Sequence, residues 1–295
     1  MGTAHAAVTR ELLVRYLDAV TPAVLHHAKR FTYAEGYPGT GADPSAAAAL
    51  RVFGEFTDLL TKGRRLDVVL TGGDSTAAEA VRSEIGAPSA LRVATGTGPL
   101  AARLRGSGAF TGPVMVYLEP SGDRPPDAGT LTALAAGPQT DLLLLVDGGG
   151  LDRGALYDAG FPAVAHVDLV DAAGQARTLY FASTAGKNLD RFKDALWAVD
   201  EFAGVRLRDP VDPDGALLDI ALAAHLGPLK RALLARVRGN GPCQVAELRE
   251  FTRTGTIYRA ADATRALTAL LSSGTLAREP ERGRLAADTL VRLAR

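Results

Sequence analysis

The sequence predicts an α/β protein: a parallel sheet covered by helices on both faces, followed by a smaller helical domain. Three observations carry this. First, five short β-prone runs alternate with helical segments: FTYAE (31–35), LDVVLT (66–71), LRVAT (91–95), PVMVYLEP (113–120) and DLLLLVD (141–147). Strands that are largely apolar on both sides belong to parallel sheets buried between helices. Second, AVAHVDLVD (163–171) and RTLYFAST (177–184), joined across AAGQA, read as a hairpin appended to the fifth strand. Third, charge changes sign along the chain. Residues 228–295 hold 13 Lys and Arg against 6 Asp and Glu, leaving 20 against 27 in residues 1–227, so the formal net charge of +0 hides an acidic and a basic part.

Each element has a local reason. In residues 8–29 the apolar positions Leu12, Leu13, Tyr16, Leu17, Val20, Val24 and Leu25 fall on helical spacing, and Pro22 is expected to kink or divide the helix. After the first strand comes the glycine-rich stretch GYPGTG, then a helix over 44–61 with Pro44 in its first turn. Helices at 76–85, 99–105 and 127–136 follow the next three strands. KNLDRFKDALWAVDEF (187–202) reads as a helix whose Leu189, Phe192, Leu196 and Trp197 form a core face. Residues 203–215 are rich in Pro, Gly and Asp and read as a boundary, with a helix at about 215–226 beyond it. The C-terminal part then reads as three helices, ending in a strand–turn–strand at TLARE-PERGR-LAAD. Helices followed by a basic hairpin predict a winged helix. The expected organisation is an N-terminal helical segment (1–30), a sheet domain (31–205), and a helical linker with the winged helix (206–295).

Composition excludes several classes. The chain has 295 residues, 47% hydrophobic and 22% charged, which suits an ordinary core. A single cysteine, Cys243, rules out an internal disulfide and a Cys-rich zinc site. The five histidines show no metal-ligand spacing, so no metal is expected. No apolar run approaches the roughly 20 residues of a membrane helix, and the N-terminus lacks a signal-peptide layout. The expected location is the cytoplasm, with no membrane partner.

The stretch FTYAEGYPGTGADP places three glycines between a strand and a helix. Such a corner offers unpaired helix N–H groups and lets a ligand approach the backbone. The P-loop pattern fails, because no Lys-Ser or Lys-Thr follows. The dinucleotide order G-x-G-x-x-G fails too, because the order here is G-x-x-G-x-G. Glu35 just before the glycines resembles the first motif of class I S-adenosylmethionine-dependent methyltransferases, whose sheet carries a seventh strand inserted antiparallel beside the fifth. The hairpin after the fifth strand supplies one. The resemblance therefore implies an α/β, Rossmann-like seven-stranded methyltransferase sheet with a C-terminal all-α, winged-helix domain.

A longer resemblance covers the chain. RYLDAVTPAVLHHAKRFTYAEGYPGTG, VYLEPSG, TLYFASTAGKNLDRFKDALWAVD and TIYRAADATRALTALLSSGTL resemble the three-Cys-motif partner proteins, a bacterial family with a methyltransferase-like domain and a winged-helix-like end. The resemblance implies an S-adenosylmethionine site at Glu35, Gly36, Tyr37, Gly39, Gly41, Asp74, Thr97, Glu119 and Pro120, with Glu119 and Ser121 catalytic. It departs from the methyltransferase pattern at the second strand, where Gly72 replaces the acid that usually holds the ribose; Asp74 lies two residues on. Glu119 stands for the usual Asp, and Ser121 for an aromatic. The implied activity is methyl transfer to a nucleic acid or a small molecule. The alternative is a degenerate methyltransferase fold acting as a regulatory or partner-docking protein. The basic C-terminal domain is expected to meet nucleic acid through Tyr258, Arg259, Arg265, Arg278, Arg282 and Arg284, or else to dock a protein or a second copy in a homodimer.

Overall fold

The computed structural model describes residues 4–36, 44–61, 63–72, 76–120, 125–147, 151–200, 204–221 and 223–294. Helix α1 (Ala4–His27) runs as one element through Pro22, and its apolar stripe from Val8 to Leu25 is buried. The strands β1 (Arg30–Gly36), β2 (Arg65–Thr71), β3 (Leu91–Gly96), β4 (Val114–Leu118) and β5 (Thr140–Asp147) pair in parallel. Between them lie α2 (Pro44–Gly54), α3 (Thr76–Glu84), α4 (Leu100–Gly106) and α5 (Ala128–Ala135). Helix α2 is shorter than expected: Gly54 ends it, and a single 3₁₀ turn at Thr57–Leu59 follows.

A short helix, α6 (Arg153–Asp158), leads into β6 (Ala163–Asp171) and β7 (Ala176–Ser183). These two form the expected hairpin, and β7 lies antiparallel between β5 and β6. The sheet order is β3-β2-β1-β4-β5-β7-β6-β8-β9. The expectation of seven strands is thus corrected: among the described residues the sheet has nine. Strands β8 (Val205–Arg208) and β9 (Leu217–Leu218) extend the sheet past residue 205, after α7 (Lys187–Leu196). The alternation Val205-Arg206-Leu207-Arg208 explains β8, because Val205 and Leu207 are buried while Arg206 faces solvent. The helix expected at 215–226 does not form among the described residues.

Helices α1, α2, α3 and α7 cover one face of the sheet, and α4, α5 and α6 cover the other. The C-terminal elements are α8 (Gly227–Asn240), β10 (Cys243–Gln244), α9 (Val245–Gly255), α10 (Ala260–Ser272), β11 (Leu276–Glu279) and β12 (Leu290–Leu293). Their three-stranded sheet has the order β10-β12-β11. The second hairpin strand falls at 290–293 and not at 285–288, where Ala-Ala-Asp offers little β-propensity. Leu229, Leu233, Leu248 and Leu267 share one continuous core with α1 and α7, so the C-terminal module is packed onto the sheet. No helix among the described residues is long and apolar enough to cross a membrane.

Candidate functional site

The strand order reverses at β1, whose neighbours are β2 and β4. Open α/β sheets bind ligands outside the carboxyl ends of the strands at such a switch point. Here those ends line a cavity of about 550 Å³. Gly36 closes β1 on its floor. A Cβ built at Gly36 would stand 3.0 Å from Leu118, 3.2 Å from Leu100 and 3.3 Å from the Thr71 hydroxyl, so the floor is open only because the residue is glycine. Thr71 closes β2, and its hydroxyl donates to the Glu35 carbonyl at 3.2 Å. Leu100 and Leu118 supply apolar walls, Thr97 a hydroxyl, and Asp127 with Thr130 the polar side.

Gly72 also lines the cavity, and its φ is +73°. That left-handed backbone favours glycine. The position where a ribose-binding acid was expected is therefore shaped for a turn.

The expected site residues divide. Gly36 and Thr97 meet in the cavity. Glu35 is buried beside it, and its carboxylate accepts from the Tyr33 hydroxyl at 2.9 Å, two residues back on the same strand face. Glu119, just past β4, accepts from the Arg177 guanidinium at 2.6 Å and from the Tyr117 hydroxyl at 2.5 Å. The Arg177 Nε also lies 2.8 Å from Asp147. Each Glu119 oxygen takes one of these bonds, which orients the carboxylate as an acceptor and leaves further lone pairs. Pro120 is buried beside it. Tyr37, Gly39, Gly41, Asp74 and Ser121 lie outside the described residues.

Sequence reasoning missed Asp127, Thr130 and Arg177. Asp127 caps α5: Oδ1 accepts from the Thr130 N–H at 2.8 Å and Oδ2 from the Thr130 hydroxyl at 2.7 Å. These bonds hold its pKa below the usual carboxylate value. The spacing D-x-x-T before a helix is a legible cap signal; its place in the cavity depends on the sheet.

No protein-family model and no curated protein matches the chain. Solved structures give distant likenesses. EvdMO1 is 14% identical with a TM-score of 0.39, over 60% of this chain and 42% of that one, so the chain spans less than half of its length. An S-adenosylmethionine-dependent methyltransferase from Aquifex aeolicus is 11% identical with a TM-score of 0.34, over 57% and 89%. Cofactor-bound Rv0187 from MTB is 14% identical with a TM-score of 0.34, over 62% and 89%. Strand order and cavity position are stronger observations than likenesses at these scores.

In the C-terminal module, Tyr258 was expected on the exposed side of the third helix. It is fully buried and precedes α10, whose N-cap is Arg259. Its ring stacks on Trp197 at 5.6 Å, and its hydroxyl donates to the His225 carbonyl at 2.9 Å. Arg259 and Arg265 both pair with the buried Asp262, at 3.1 and 2.6 Å. Arg278 donates to the Pro280 and Gly283 carbonyls at 2.8 and 2.9 Å and so fastens its own hairpin. Arg282 and Arg284 are exposed. Cys243 is buried, which raises its thiol pKa, as suits an inert residue.

Replacing Tyr258 by Phe removes the donor of a part-buried hydrogen bond and leaves the His225 carbonyl without it. Stability is expected to fall by about 1 kcal/mol, measured by urea unfolding. Any DNA mobility shift is expected to stay unchanged; a selective loss of DNA binding would return Tyr258 to the nucleic-acid face.

Proposed function

We propose that the chain binds S-adenosylmethionine in the cavity at the β1/β4 switch point, as a class I methyltransferase. One observation carries this: the order β3-β2-β1-β4-β5-β7-β6 with β7 antiparallel, and a cavity at the carboxyl ends of its first four strands. The residues fit such a ligand. A volume of about 550 Å³ lies within the range of small-molecule sites. Gly36 admits close approach, Leu100 and Leu118 can flank a flat ring, and Thr97 and Asp127 offer polar contacts. When bound, the cofactor supplies an electrophilic sulfonium methyl. The chain's part is positioning, and Glu119, held by Arg177 and Tyr117, serves as a fixed acceptor at the edge of β4.

A second reading is favoured by Gly72. With left-handed glycine in place of the ribose acid, the fold has lost catalysis and acts as a scaffold. Titrating S-adenosylhomocysteine in a thermal-shift assay decides whether a cofactor site is retained. A ligand that binds only the native state adds about 2.7 kcal/mol at a hundredfold excess over its Kd, so the melting temperature is expected to rise. No rise at millimolar ligand sinks the enzyme reading.

On this reading the C-terminal module is a winged helix that docks a protein partner or a second copy. Burial of Tyr258, and the pairing of Arg259 and Arg265 with Asp262, support docking over base reading, because recognition helices present their N-terminal residues to bases. A cytoplasmic location and kinship with the bacterial three-Cys-motif partner proteins complete the proposal.

A further inference from the structure

We propose that a second cavity, at the amino ends of the sheet strands, binds a phosphate group through His27, Lys187 and Arg191. It lies at the edge of the sheet opposite the proposed cofactor cavity and does not depend on that reading.

The cavity measures about 210 Å³. That is too small for a drug-sized ligand and ample for an oxyanion. Phe31 near the start of β1, with Pro113 and Gln139 just before β4 and β5, places it at the amino edge. The last turn of α1 brings His27, and the first two turns of α7 bring Lys187 and Arg191. Lys187 and Arg191 are four residues apart and so share one face of α7. Val24, Phe31 and Pro113 supply apolar wall, beside which charges interact more strongly than in open water. The end of α1 and the start of α7 carry partial charges of opposite sign, which offset, so the side chains decide the ligand.

Asp141 is the one acid among the described lining residues, and it is buried. Neutral donors occupy it. Its Oδ1 accepts from the Ser183 hydroxyl at 2.5 Å and the Asn188 amide at 3.1 Å. Its Oδ2 accepts from the Tyr16 hydroxyl at 2.8 Å and the same amide at 2.9 Å. Those bonds match the roughly four lone-pair sites of a carboxylate. Burial also raises the Asp141 pKa, which lessens its repulsion of an anion. Arg191 donates to the Asn188 side-chain oxygen at 3.0 Å, which orients the guanidinium and leaves further N–H donors. Neither Lys187 nor Arg191 forms an ion pair among the described residues. Two cations and a ring nitrogen are thus left lining the cavity, a set that suits a dianionic phosphate better than a carboxylate.

The test is calorimetric titration of inorganic phosphate, at pH 8 and low salt, into the wild type, Lys187→Gln, Arg191→Gln and Lys29→Gln. Glutamine is a good helix former, so α7 is retained. Each α7 variant is expected to bind about tenfold more weakly, the lower end of a charged hydrogen bond. Lys29 is exposed just past α1 and outside the cavity wall, so its variant is expected to bind as the wild type does. Acetate, with one charge, is expected to bind the wild type about tenfold more weakly than phosphate. Glycerol 3-phosphate separates the sources: binding as tight as phosphate assigns the site to phosphate esters, and its loss assigns the site to the free ion. Silence of the wild type to both phosphates overturns the proposal. So does binding that is unchanged, or equally weakened, in all three variants, because that marks a diffuse field. Acetate binding as tightly as phosphate overturns the choice of ligand. None of these outcomes bears on S-adenosylhomocysteine at the opposite edge, so the two sites fail separately.

Discussion

Lys193→Met is expected to lower stability by about 3 kcal/mol and the melting temperature by roughly 5–10 °C. Lys193 lies on α7 and is fully buried. Its three N–H donors are shared among four carbonyls of the C-terminal module: Thr252 at 3.1 Å, Arg253 at 2.5 Å, Thr256 at 2.7 Å and Tyr258 at 2.7 Å. Two of these belong to the last turn of α9, whose carbonyls have no helical partners. One side chain of the sheet domain thus caps a helix of the module. Trp197, one turn on, donates its indole N–H to the Ile257 carbonyl at 3.1 Å, and Asp209 accepts the Ile257 N–H at 3.1 Å. Methionine has nearly the same volume, so the loss comes from stranded acceptors and not from a cavity.

The pH dependence carries its own signature. Burial draws the Lys193 pKa down to about 7, against the opposing pull of Asp209 and Asp190. The unfolded chain keeps the ordinary value near 10.5. Between these values the unfolded state binds more protons, so this group's contribution rises with pH from about 7 to about 10.5 and is flat below 7. Urea unfolding of wild type and Lys193→Met at pH 7 and pH 9 is expected to show a gap that widens at pH 9. An equal gap at both values would mean that Lys193 keeps its ordinary pKa in the folded chain, with the carbonyl cage offsetting the cost of burial.

The sheet was legible because its signals are local. DLLLLVD has no polar face to expose, and the turn AAGQA separates two runs of alternating residues, so the five parallel strands and the inserted hairpin could be read directly. Strands β8 and β9 were hidden by Asp209, Pro210, Asp212, Pro213, Asp214 and Gly215 between them, which read as linker. Tyr258 was misplaced because the helical pattern was started at Ile257, three residues before α10 begins at Ala260. Lys193 was invisible for a simpler reason: a lysine on a helix reads as solvated, and only the fold brings four carbonyls to it. The cavity was half legible. Its glycine corner announced itself, while Asp127 entered only once β4 and α5 stood beside β1.

Gly36→Val is expected to weaken S-adenosylhomocysteine binding by about a hundredfold, roughly 2.7 kcal/mol, while the chain still folds. Its backbone needs no special conformation, because Gly36 is the last residue of a paired strand, opposite Thr71 on β2 and Leu118 on β4. What valine changes is space. Its Cβ alone would come within 3.0 to 3.3 Å of Leu118, Leu100 and Thr71, and those side chains must give by a few tenths of an ångström. The γ-methyls then occupy the floor that a ligand would need. Overpacking of this kind costs about 1–3 kcal/mol in folding, so a moderate drop in melting temperature accompanies the binding loss. Gly36→Ala adds the Cβ without the methyls and is expected to fall between. Gly72→Asp is the informative contrast. Aspartate tolerates left-handed backbone better than most residues, so this variant keeps its fold and places a carboxylate at the end of β2. If it tightens S-adenosylhomocysteine, the missing ribose acid is what limits the site. If Gly36→Val leaves binding untouched, the ligand does not sit on the β1 floor, and the glycine there serves only the packing of Leu100 against Leu118.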